Sequence, residues 1–334
     1  MSYDSTEIHL VARPVGEPQP TDFATVHATV GSPGPGQVVV RNTWMSVDPY
    51  MRGRMNDRPS YIAPFVLDQA MRGGAVGEVV ESASDRLPVG SVVLHDLGWR
   101  THALLDESEA EAIDVSSVDA TAYLGVLGLT GFTAYVGLKM IAPVGVGDTV
   151  LISGAAGGVG LAAGVIAKKL GAARVVGSAG GPDKTTRLVE EFGYDAAVDY
   201  KEGDLWKQVV AATPDGVDVY LDNVGGEHLQ VAIGAMNDFG RIALCGAISQ
   251  YNVTTAQPGP NNLVKAVAKR LSLRGYIVLD HDELRAEWIS LASSWLADGS
   301  LTDTHTSVDG IDHALEAFTN LSRGANVGKM LVRL

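Results

Sequence analysis

The feature that most limits the fold of this chain is a glycine-rich turn between a hydrophobic strand and a helix. An apolar run, Val150–Ile152, leads directly into Ser153-Gly154-Ala155-Ala156-Gly157-Gly158-Val159-Gly160, where a helical pattern begins. Small residues in such a turn let the backbone approach a pyrophosphate, and the last glycine lets the helix pack against the strand. The helix N-terminus adds unpaired N–H groups and a positive dipole end. We therefore predict a dinucleotide-phosphate site here; the alternative is a purely structural tight turn.

Strand and helix patterns alternate around this turn, which predicts an α/β fold with a parallel sheet covered by helices on both faces. The predicted strands are Val150–Ile152, Arg174–Val176, Ala197–Asp199, Val217–Leu221, Arg241–Leu244 and Leu273–Leu279. The predicted helices are Val159–Leu170, Asp183–Phe192, Leu205–Ala212, His228–Ala235 and Asp282–Leu296.

The residues before this region have a different pattern, typical of short β-strands separated by proline and glycine. Strands are predicted at Ile8–Ala12, Thr25–Val30, Gln37–Ser46, Val76–Val80 and Val92–His95, with a last strand at Lys329–Val332. An irregular segment from Asp48 to Met71 interrupts them, and we regard it as a candidate site because long loops in compact domains are often functional.

Composition narrows the possible functions. The 334 residues carry a formal net charge of −14, which argues against non-specific nucleic-acid binding. The single cysteine, Cys245, excludes a disulfide framework and the thiolate sets of zinc dehydrogenases, so we predict no metal. By default that cysteine is a small buried hydrophobe. Acids at Asp4 and Glu7 argue against a signal peptide, glycines interrupt the longest uncharged stretches, and we expect a cytoplasmic protein with no membrane span.

The end of the second parallel strand distinguishes NAD from NADP. NAD sites usually place an acid there to bind the ribose 2′-hydroxyl, whereas this strand ends Val176-Gly177-Ser178-Ala179-Gly180-Gly181. Lys184 follows at the start of the next helix, and Tyr200-Lys201 follow the third strand. A lysine and hydroxyls would bind a 2′-phosphate. Asp183 could instead cap the helix that begins there. The pattern therefore favours NADP(H).

With these residues assembled, the chain resembles the zinc-independent branch of the medium-chain dehydrogenase/reductases. Within that branch it looks like the group of prostaglandin reductases, plant alkenal double-bond reductases and bacterial curcumin reductases. The resemblance covers nearly the whole chain and rests on the glycine turn together with Val47–Gly53 (V-D-P-Y-M-R-G), Gly128–Tyr135, Asp222–Gly226, Phe239–Ile242, Cys245–Asn252 (C-G-A-I-S-Q-Y-N) and Asn326–Lys329. Plant and mammalian members often have a tyrosine near Ala268, so the chain looks more like the bacterial subgroup.

The resemblance implies a split architecture and a dimer. Residues 1–127 and 303–334 would form a GroES-like β-rich catalytic domain, and residues 128–302 a Rossmann domain with a doubly wound parallel sheet. The active site would lie in the cleft that joins them. Family members commonly form homodimers through the last strand of the nucleotide domain, which here would be Leu273–Leu279.

The resemblance also implies the residues that bind NADP(H). Gly157, Gly158, Val159, Gly160 and Leu161 would hold the pyrophosphate, and Lys184 and Tyr200 the 2′-phosphate. The nicotinamide half would be lined by Asn223, Cys245, Gly246, Ala247, Ile248, Ser249, Tyr251, Tyr276, Ile277, Val278 and Asn326.

The implied reaction is hydride transfer from NADPH to the β-carbon of an α,β-unsaturated ketone or aldehyde. Negative charge would then develop on the carbonyl oxygen, where hydroxyl donors lower the barrier. Tyr50 and Tyr251 are the candidate donors, and Tyr61 is a weaker candidate for substrate contact. The alternatives are a quinone reductase on the same scaffold and a non-catalytic NADP-binding sensor.

Overall fold

The computed structural model describes residues 2–334. Its strands are β1 (Tyr3–Leu10), β2 (Phe23–Val30), β3 (Gln37–Ser46), β4 (Gln69–Ala70), β5 (Ala75–Ser82), β6 (Val92–His95), β7 (His102–Asp106), β8 (Ala110–Ala112), β9 (Thr149–Ser153), β10 (Arg174–Ala179), β11 (Ala196–Asp199), β12 (Val217–Asp222), β13 (Met236–Leu244), β14 (Ser272–Gly275), β15 (His305–Asp309) and β16 (Lys329–Arg333).

The α-helices are α1 (Tyr50–Arg54), α2 (Leu129–Val136), α3 (Gly158–Lys169), α4 (Pro182–Glu190), α5 (Leu205–Ala212), α6 (Gly226–Ala235), α7 (Val264–Ala268), α8 (Arg285–Ala297) and α9 (Ala314–Ser322). Shorter helical turns include a π-helical turn at Gly137–Ile141 and 3-10 turns at Ile248–Gln250 and Val278–Leu284. No helix within residues 2–334 is long and apolar enough to cross a membrane.

The chain folds into two compact units. The first comprises residues up to 124 together with 305–325 and 330–334, and the second comprises residues 125–304 together with 326–329. The short stretch 326–329 therefore folds with the second unit, although the residues on either side of it belong to the first.

The second unit contains a six-stranded sheet in the order β11-β10-β9-β12-β13-β14, and every pair of neighbours is parallel. This is the strand order of a Rossmann fold, which confirms the predicted α/β class. The chain moves outward from β9 on one side and then returns to β12 on the other, so the topological switch point lies between β9 and β12. All five residues of β9 are buried, as expected for a central strand covered on both faces.

The last predicted strand of this sheet is shorter than expected. The prediction of a strand over Leu273–Leu279 is wrong beyond Gly275, because its partner β13 ends at Leu244, which pairs with Gly275. The next residue, Tyr276, donates its hydroxyl to Thr133 O at 2.9 Å, away from the strand ladder. A 3-10 turn, Val278–Leu284, then occupies residues predicted to begin helix α8, which starts at Arg285.

The first unit is built from antiparallel pairs. A three-stranded sheet has the order β2-β1-β4, and a seven-stranded sheet has the order β15-β16-β3-β5-β6-β8, with β7 also paired to β3. The main core contains five methionines and four large aromatic rings, together with smaller apolar side chains. The methionines are Met45, Met51, Met55, Met71 and Met330, and the rings belong to Phe23, Phe65, Trp99 and Phe318. The irregular segment Asp48 to Met71 is less irregular than predicted, because it contains α1 and β4.

A buried histidine joins two strands of the first unit. His95, in β6, is only 4% exposed, and Leu97 N donates to its Nδ1 at 3.0 Å. Its Nε2 is 2.9 Å from Asn42 Oδ1, and the amide of Asn42 donates to the carbonyls of Leu97 and Arg100. Because Nδ1 accepts a hydrogen bond, the imidazole is neutral and Nε2–H is the donor to Asn42. Burial, followed by the charge of Arg100, lowers the pKa of His95 to about 3.

We expect acid to destabilise the first unit through His95. The unfolded chain binds this proton near the ordinary histidine pKa of about 6.5, whereas the folded chain resists it until about pH 3. Below pH 6.5 the unfolded state therefore holds more protons, and His95 removes up to about 1.4 kcal/mol of stability for each pH unit.

Urea unfolding of the wild type and His95→Gln between pH 7 and pH 4 measures this contribution. The difference between their free energies of unfolding should decrease as the pH falls. His27→Gln, at an exposed position, is the control. Parallel pH profiles for wild type and His95→Gln would contradict the assignment.

Candidate cofactor site

The glycine turn lies at the carboxyl end of β9, at the switch point of the parallel sheet. Gly154 adopts a left-handed φ of 60°, and a Cβ on Gly160 would lie 2.4 Å from the carbonyl oxygen of Ala155. Only glycine therefore allows α3 to pack this closely against the turn. Helix α3 begins with Gly157 as its N-cap residue and no side chain caps it. The first N–H groups of the helix thus have no acceptor within the helix and can bind an anion.

A buried carboxylate organises the opposite side of the switch point. Asp222, the last residue of β12, is 1% exposed. Its Oδ1 accepts from the Tyr220 hydroxyl at 2.8 Å and the Ser153 hydroxyl at 3.2 Å. The same atom accepts from Val224 N at 3.1 Å and Gly225 N at 2.8 Å. Four donors therefore fix the turn that follows β12 to the end of β9.

The predicted nicotinamide residues are hydrogen-bonded to this turn. Asn223 donates from Nδ2 to Ser153 O at 2.7 Å, and the N–H groups of Cys245 and Gly246 donate to Asp222 O at 2.9 and 3.0 Å. Two further backbone bonds, Ile248 N to Asn223 O and Ser249 N to Val224 O, hold the following 3-10 turn. The structure thus brings together the loops after β12 and β13.

Tyr251 ends this second loop. Its hydroxyl accepts from Ala247 N at 3.4 Å, which leaves its own proton available for donation. Burial is the main effect that raises the pKa of Tyr251, and the nearby Cys245 and Asp222 add to it. The side chain therefore remains a neutral hydroxyl at physiological pH.

The residues after β13 and β14 also meet. Burial raises the pKa of the Cys245 thiol to about 11, and the hydroxyl of Tyr276 is its hydrogen-bonding neighbour. A thiol in this state is not a nucleophile at neutral pH. Because the Tyr276 hydroxyl donates to Thr133 O, its proton is already used, and the side chain can offer a cofactor its ring but no hydrogen-bond donor. Ile277 is half-buried and Val278 is buried, directly after Tyr276.

The stretch 326–329 lies against the glycine turn. Gly328 N donates to Ala156 O at 2.8 Å, and the buried Asn326 donates from Nδ2 to Gly328 O at 2.6 Å. Lys184, on α4, donates from Nζ to Asn326 O at 2.5 Å. Two of the predicted cofactor residues, Lys184 and Asn326, are therefore in direct contact.

The predicted 2′-phosphate end gathers positive charge. Burial, and then the positive charge of Lys201, lowers the pKa of Lys184. Both Lys201 Cε and the Tyr200 hydroxyl would lie 2.8 Å from a Cβ on Gly180, so these side chains lie over the turn between β10 and α4. Asp199 Oδ1 holds that turn by accepting from Gly181 N at 2.9 Å and from Lys201 N at 3.0 Å.

The helix start differs from the sequence expectation. Asp183 does not cap α4: Gly181 is the N-cap residue, with a left-handed φ of 98°, and no side chain bonds to the cap. The carboxylate that accepts from the N–H of the N-cap residue Gly181 instead belongs to Asp199, at the end of β11.

Tyr50 belongs to the first unit, at the start of α1. Burial raises the pKa of its hydroxyl, and the charges of Asp48 and Asp96 add to the effect, so the side chain is neutral. Asp48 accepts from the Ser46 hydroxyl, and Arg52 donates to the carbonyls of Pro14 and Gly16. Arg52 thus holds the backbone of another segment, whereas Tyr61, farther along the chain from Tyr50, is 58% exposed.

Several residues of the site had no predicted role. Ser153 belongs to the glycine turn and Asp222 begins the Asp222–Gly226 motif. An acid followed by two glycines at the end of an apolar strand is the sequence signal that could have indicated the role of Asp222. The prediction for the 2′-phosphate includes Tyr200 but not Lys201, the residue that follows it. His228, whose Nε2 lies 2.9 Å from the Ser178 hydroxyl, gave no signal because a single histidine on a helix is common.

Comparison with known proteins follows the same division of the chain. Residues 6–113 match the family described as the N-terminal domain of oxidoreductase, and residues 158–295 match the family described as zinc-binding dehydrogenase. Within residues 2–334, no three His, Cys, Asp or Glu side chains form a group that could hold a metal ion.

Full-length relatives are similar throughout. The chain is 42% identical to a putative NADP-dependent oxidoreductase, YfmJ, of Bacillus subtilis, covering 100% of this chain and 99% of that one. It is 36% identical to the NADPH-dependent curcumin reductase of Escherichia coli, covering 97% and 95%. The crystal structure of CurA from Vibrio vulnificus in complex with NADPH matches with a TM-score of 0.94 at 36% identity, covering 98% of each chain. The chain therefore belongs to the zinc-independent medium-chain dehydrogenase/reductase family, in the group of curcumin, 2-alkenal and prostaglandin reductases.

Proposed function

We propose that this oxidoreductase uses NADPH to reduce the carbon–carbon double bond of α,β-unsaturated ketones and aldehydes. The observation that carries the proposal is the anion-binding arrangement at the switch point of the parallel sheet. There the uncapped start of α3 and the pair of lysines, Lys184 and Lys201, belong to one compact unit. The names of the curcumin and 2-alkenal reductases support the substrate class, because both names denote carbonyl compounds with a conjugated double bond.

The residues present fit the pyrophosphate and the adenosine end of the dinucleotide. Gly157 and Gly158 would leave the backbone open to the pyrophosphate, with Val159, Gly160 and Leu161 in the first turn of α3. Near the lysines, Asp199 Oδ2 is buried and has no partner within residues 2–334. A hydroxyl or amino donor of the adenosine would satisfy this acceptor.

When bound, NADPH would supply a hydride to the β-carbon of the substrate, and water or a tyrosine would protonate the α-carbon to give the saturated product. Tyr251 would then donate its proton toward the negative charge that develops on the substrate carbonyl oxygen. Its raised pKa keeps the hydroxyl neutral, so it can donate without ionising. Tyr50 is the second proposed donor, on the basis of the family resemblance, and burial keeps it neutral as well.

The proposed function is tested by turnover. The purified chain, mixed with NADPH and a simple enone such as cyclohexenone, should consume NADPH and yield the saturated ketone. A 2-alkenal should behave in the same way, and a benzoquinone should turn over more slowly. Faster turnover of the quinone would favour the quinone-reductase alternative. NADPH binding without turnover of any of these compounds would favour the sensor.

We also propose a cytoplasmic homodimer. Strand β14 pairs with β13 on one side only, and Ser272, Arg274 and Gly275 in it are exposed, so this sheet edge can pair with a second copy. The edge is four residues long, shorter than the Leu273–Leu279 strand predicted from the sequence. Light scattering of the purified chain should give twice the chain mass, and a monomer mass would contradict the dimer.

Lys184→Ala should weaken NADPH binding at least tenfold and change NADH binding less than about twofold. The lost contact is a charge-assisted bond to a phosphate, worth about 1.5–3 kcal/mol. Fluorescence titration of both cofactors measures the two affinities. Lys207→Ala, at a highly exposed lysine on α5, is the matched control and should leave both unchanged. Equal losses for NADPH and NADH would refute the phosphate role.

Tyr251→Phe should lower kcat about 10²-fold, as expected when a donor to a developing oxyanion is lost, while NADPH affinity stays within about twofold. Tyr50→Phe should lower turnover in the same direction. Tyr123→Phe is the control, because its hydroxyl bonds to Asp114 O on the surface of the first unit. Steady-state kinetics with an enone, together with cofactor titration, separates the two effects. Full activity in both variants would remove tyrosine from the mechanism.

A further inference from the structure

His228 links the ends of two strands to which it does not belong. It lies on α6, after β12, yet its Nε2 is 2.9 Å from the hydroxyl of Ser178 in β10. Its ring also meets the ring of Tyr200, which follows β11, edge-on, with a centroid distance of 5.2 Å and an interplanar angle of 74°. One imidazole therefore contacts residues at the carboxyl ends of both β10 and β11.

The backbone that carries His228 is held rigidly. Gly225 and Gly226 have φ values of 73° and 54°, which other residues rarely adopt. Asp222 Oδ1 accepts from the N–H of Gly225, and α6 begins at the next residue. His228 is the third residue of that helix, so its position is set by the same buried carboxylate that fixes the switch point.

The orientation of the imidazole depends on its two contacts. A small cavity lies beside the ring, lined by residues of the sheet and of α5 and α6: Leu151, Ser153, Ser178, Leu205, Val209, Tyr220 and Val231. The bond to Ser178 and the edge contact with Tyr200 are the side-chain interactions that orient the ring.

The residues in contact with His228 lie where the lysines gather. Tyr200 and Lys201 both cover Gly180, and Lys201 is the charged neighbour of Lys184. Burial lowers the pKa of His228, so its ring is neutral at neutral pH and adds no charge to this group. Its contribution is the placement of the neutral Tyr200 side chain, which lies with Lys201 over Gly180.

We propose that His228 is a positioning residue for the 2′-phosphate of NADPH, because it bonds to the Ser178 hydroxyl near the end of β10 and contacts the Tyr200 ring, which lies with Lys201 over Gly180. The inference rests on the proposed function, since it requires an adenosine 2′-phosphate at this end of the sheet. It predicts that removing the imidazole weakens recognition of the 2′-phosphate and spares the rest of the nucleotide.

Calorimetric titration with 2′,5′-ADP and 5′-AMP tests the proposal, because the two probes differ only in the 2′-phosphate. His228→Ala should weaken 2′,5′-ADP binding about tenfold, as expected for the loss of hydrogen-bonded placement, and change 5′-AMP binding less than about twofold. His228→Gln retains a polar group for Ser178, and His228→Phe retains a ring for Tyr200. Each should recover part of the lost affinity. With NADPH, the KM of His228→Ala should rise while kcat stays within about twofold.

The outcomes separate this proposal from the proposed function. Equal losses for 2′,5′-ADP and 5′-AMP, or wild-type affinity for both in His228→Ala, would overturn the role of His228. A wild-type chain that binds the two probes equally would overturn the NADP assignment itself, and the positioning role with it. If His228→Ala fails to fold, as judged by thermal unfolding, the Gln and Phe variants carry the same comparison.

Discussion

The arrangement of the second unit depends on one buried carboxylate at the point where the sheet reverses direction. Asp222 ends β12, and its Oδ1 accepts four hydrogen bonds, which reach β9 through Ser153 and the following turn through Val224 and Gly225. A buried carboxylate is stable only when such donors surround it, and loss of one partner leaves a costly unpaired group. These bonds therefore hold the loops on both sides of the switch point in one arrangement.

The proposed function depends on the groups around Asp222 that can contact a cofactor. The start of α3 has no side-chain cap, and Gly160 permits the helix to approach the turn that precedes it. On one side, the loop of Cys245 to Tyr251 is tied to Asp222 by backbone bonds. On the other, α6 carries His228 toward Ser178 and Tyr200. The proposed phosphate-binding and nicotinamide ends of the site thus share one structural anchor, Asp222.

The sequence predicts the sheet well and the polar network poorly. Strands β3 and β6 have the predicted bounds, and the five predicted strands from β9 to β13 lie inside the observed ones, because long apolar runs between turn residues are local signals. The predicted end of β14 is wrong, because the true end depends on where the neighbouring strand β13 stops. The bonds of Ser153 to Asp222 and of Ser178 to His228 join residues 69 and 50 positions apart, and no local pattern encodes them. The glycine turn was recognisable because its spacing is local, whereas the role of Lys184 at the 2′-phosphate stays a prediction.

The central claim is that this chain delivers a hydride to the carbon–carbon double bond of an enone. The most direct measurement uses NADPH that carries deuterium at the transferred position of the nicotinamide, with cyclohexenone as substrate and analysis of the product by mass spectrometry and NMR. We predict a saturated ketone with one deuterium at the β-carbon. Deuterium on the carbonyl carbon of an allylic alcohol would contradict the account, because the hydride would then have attacked the carbonyl group instead.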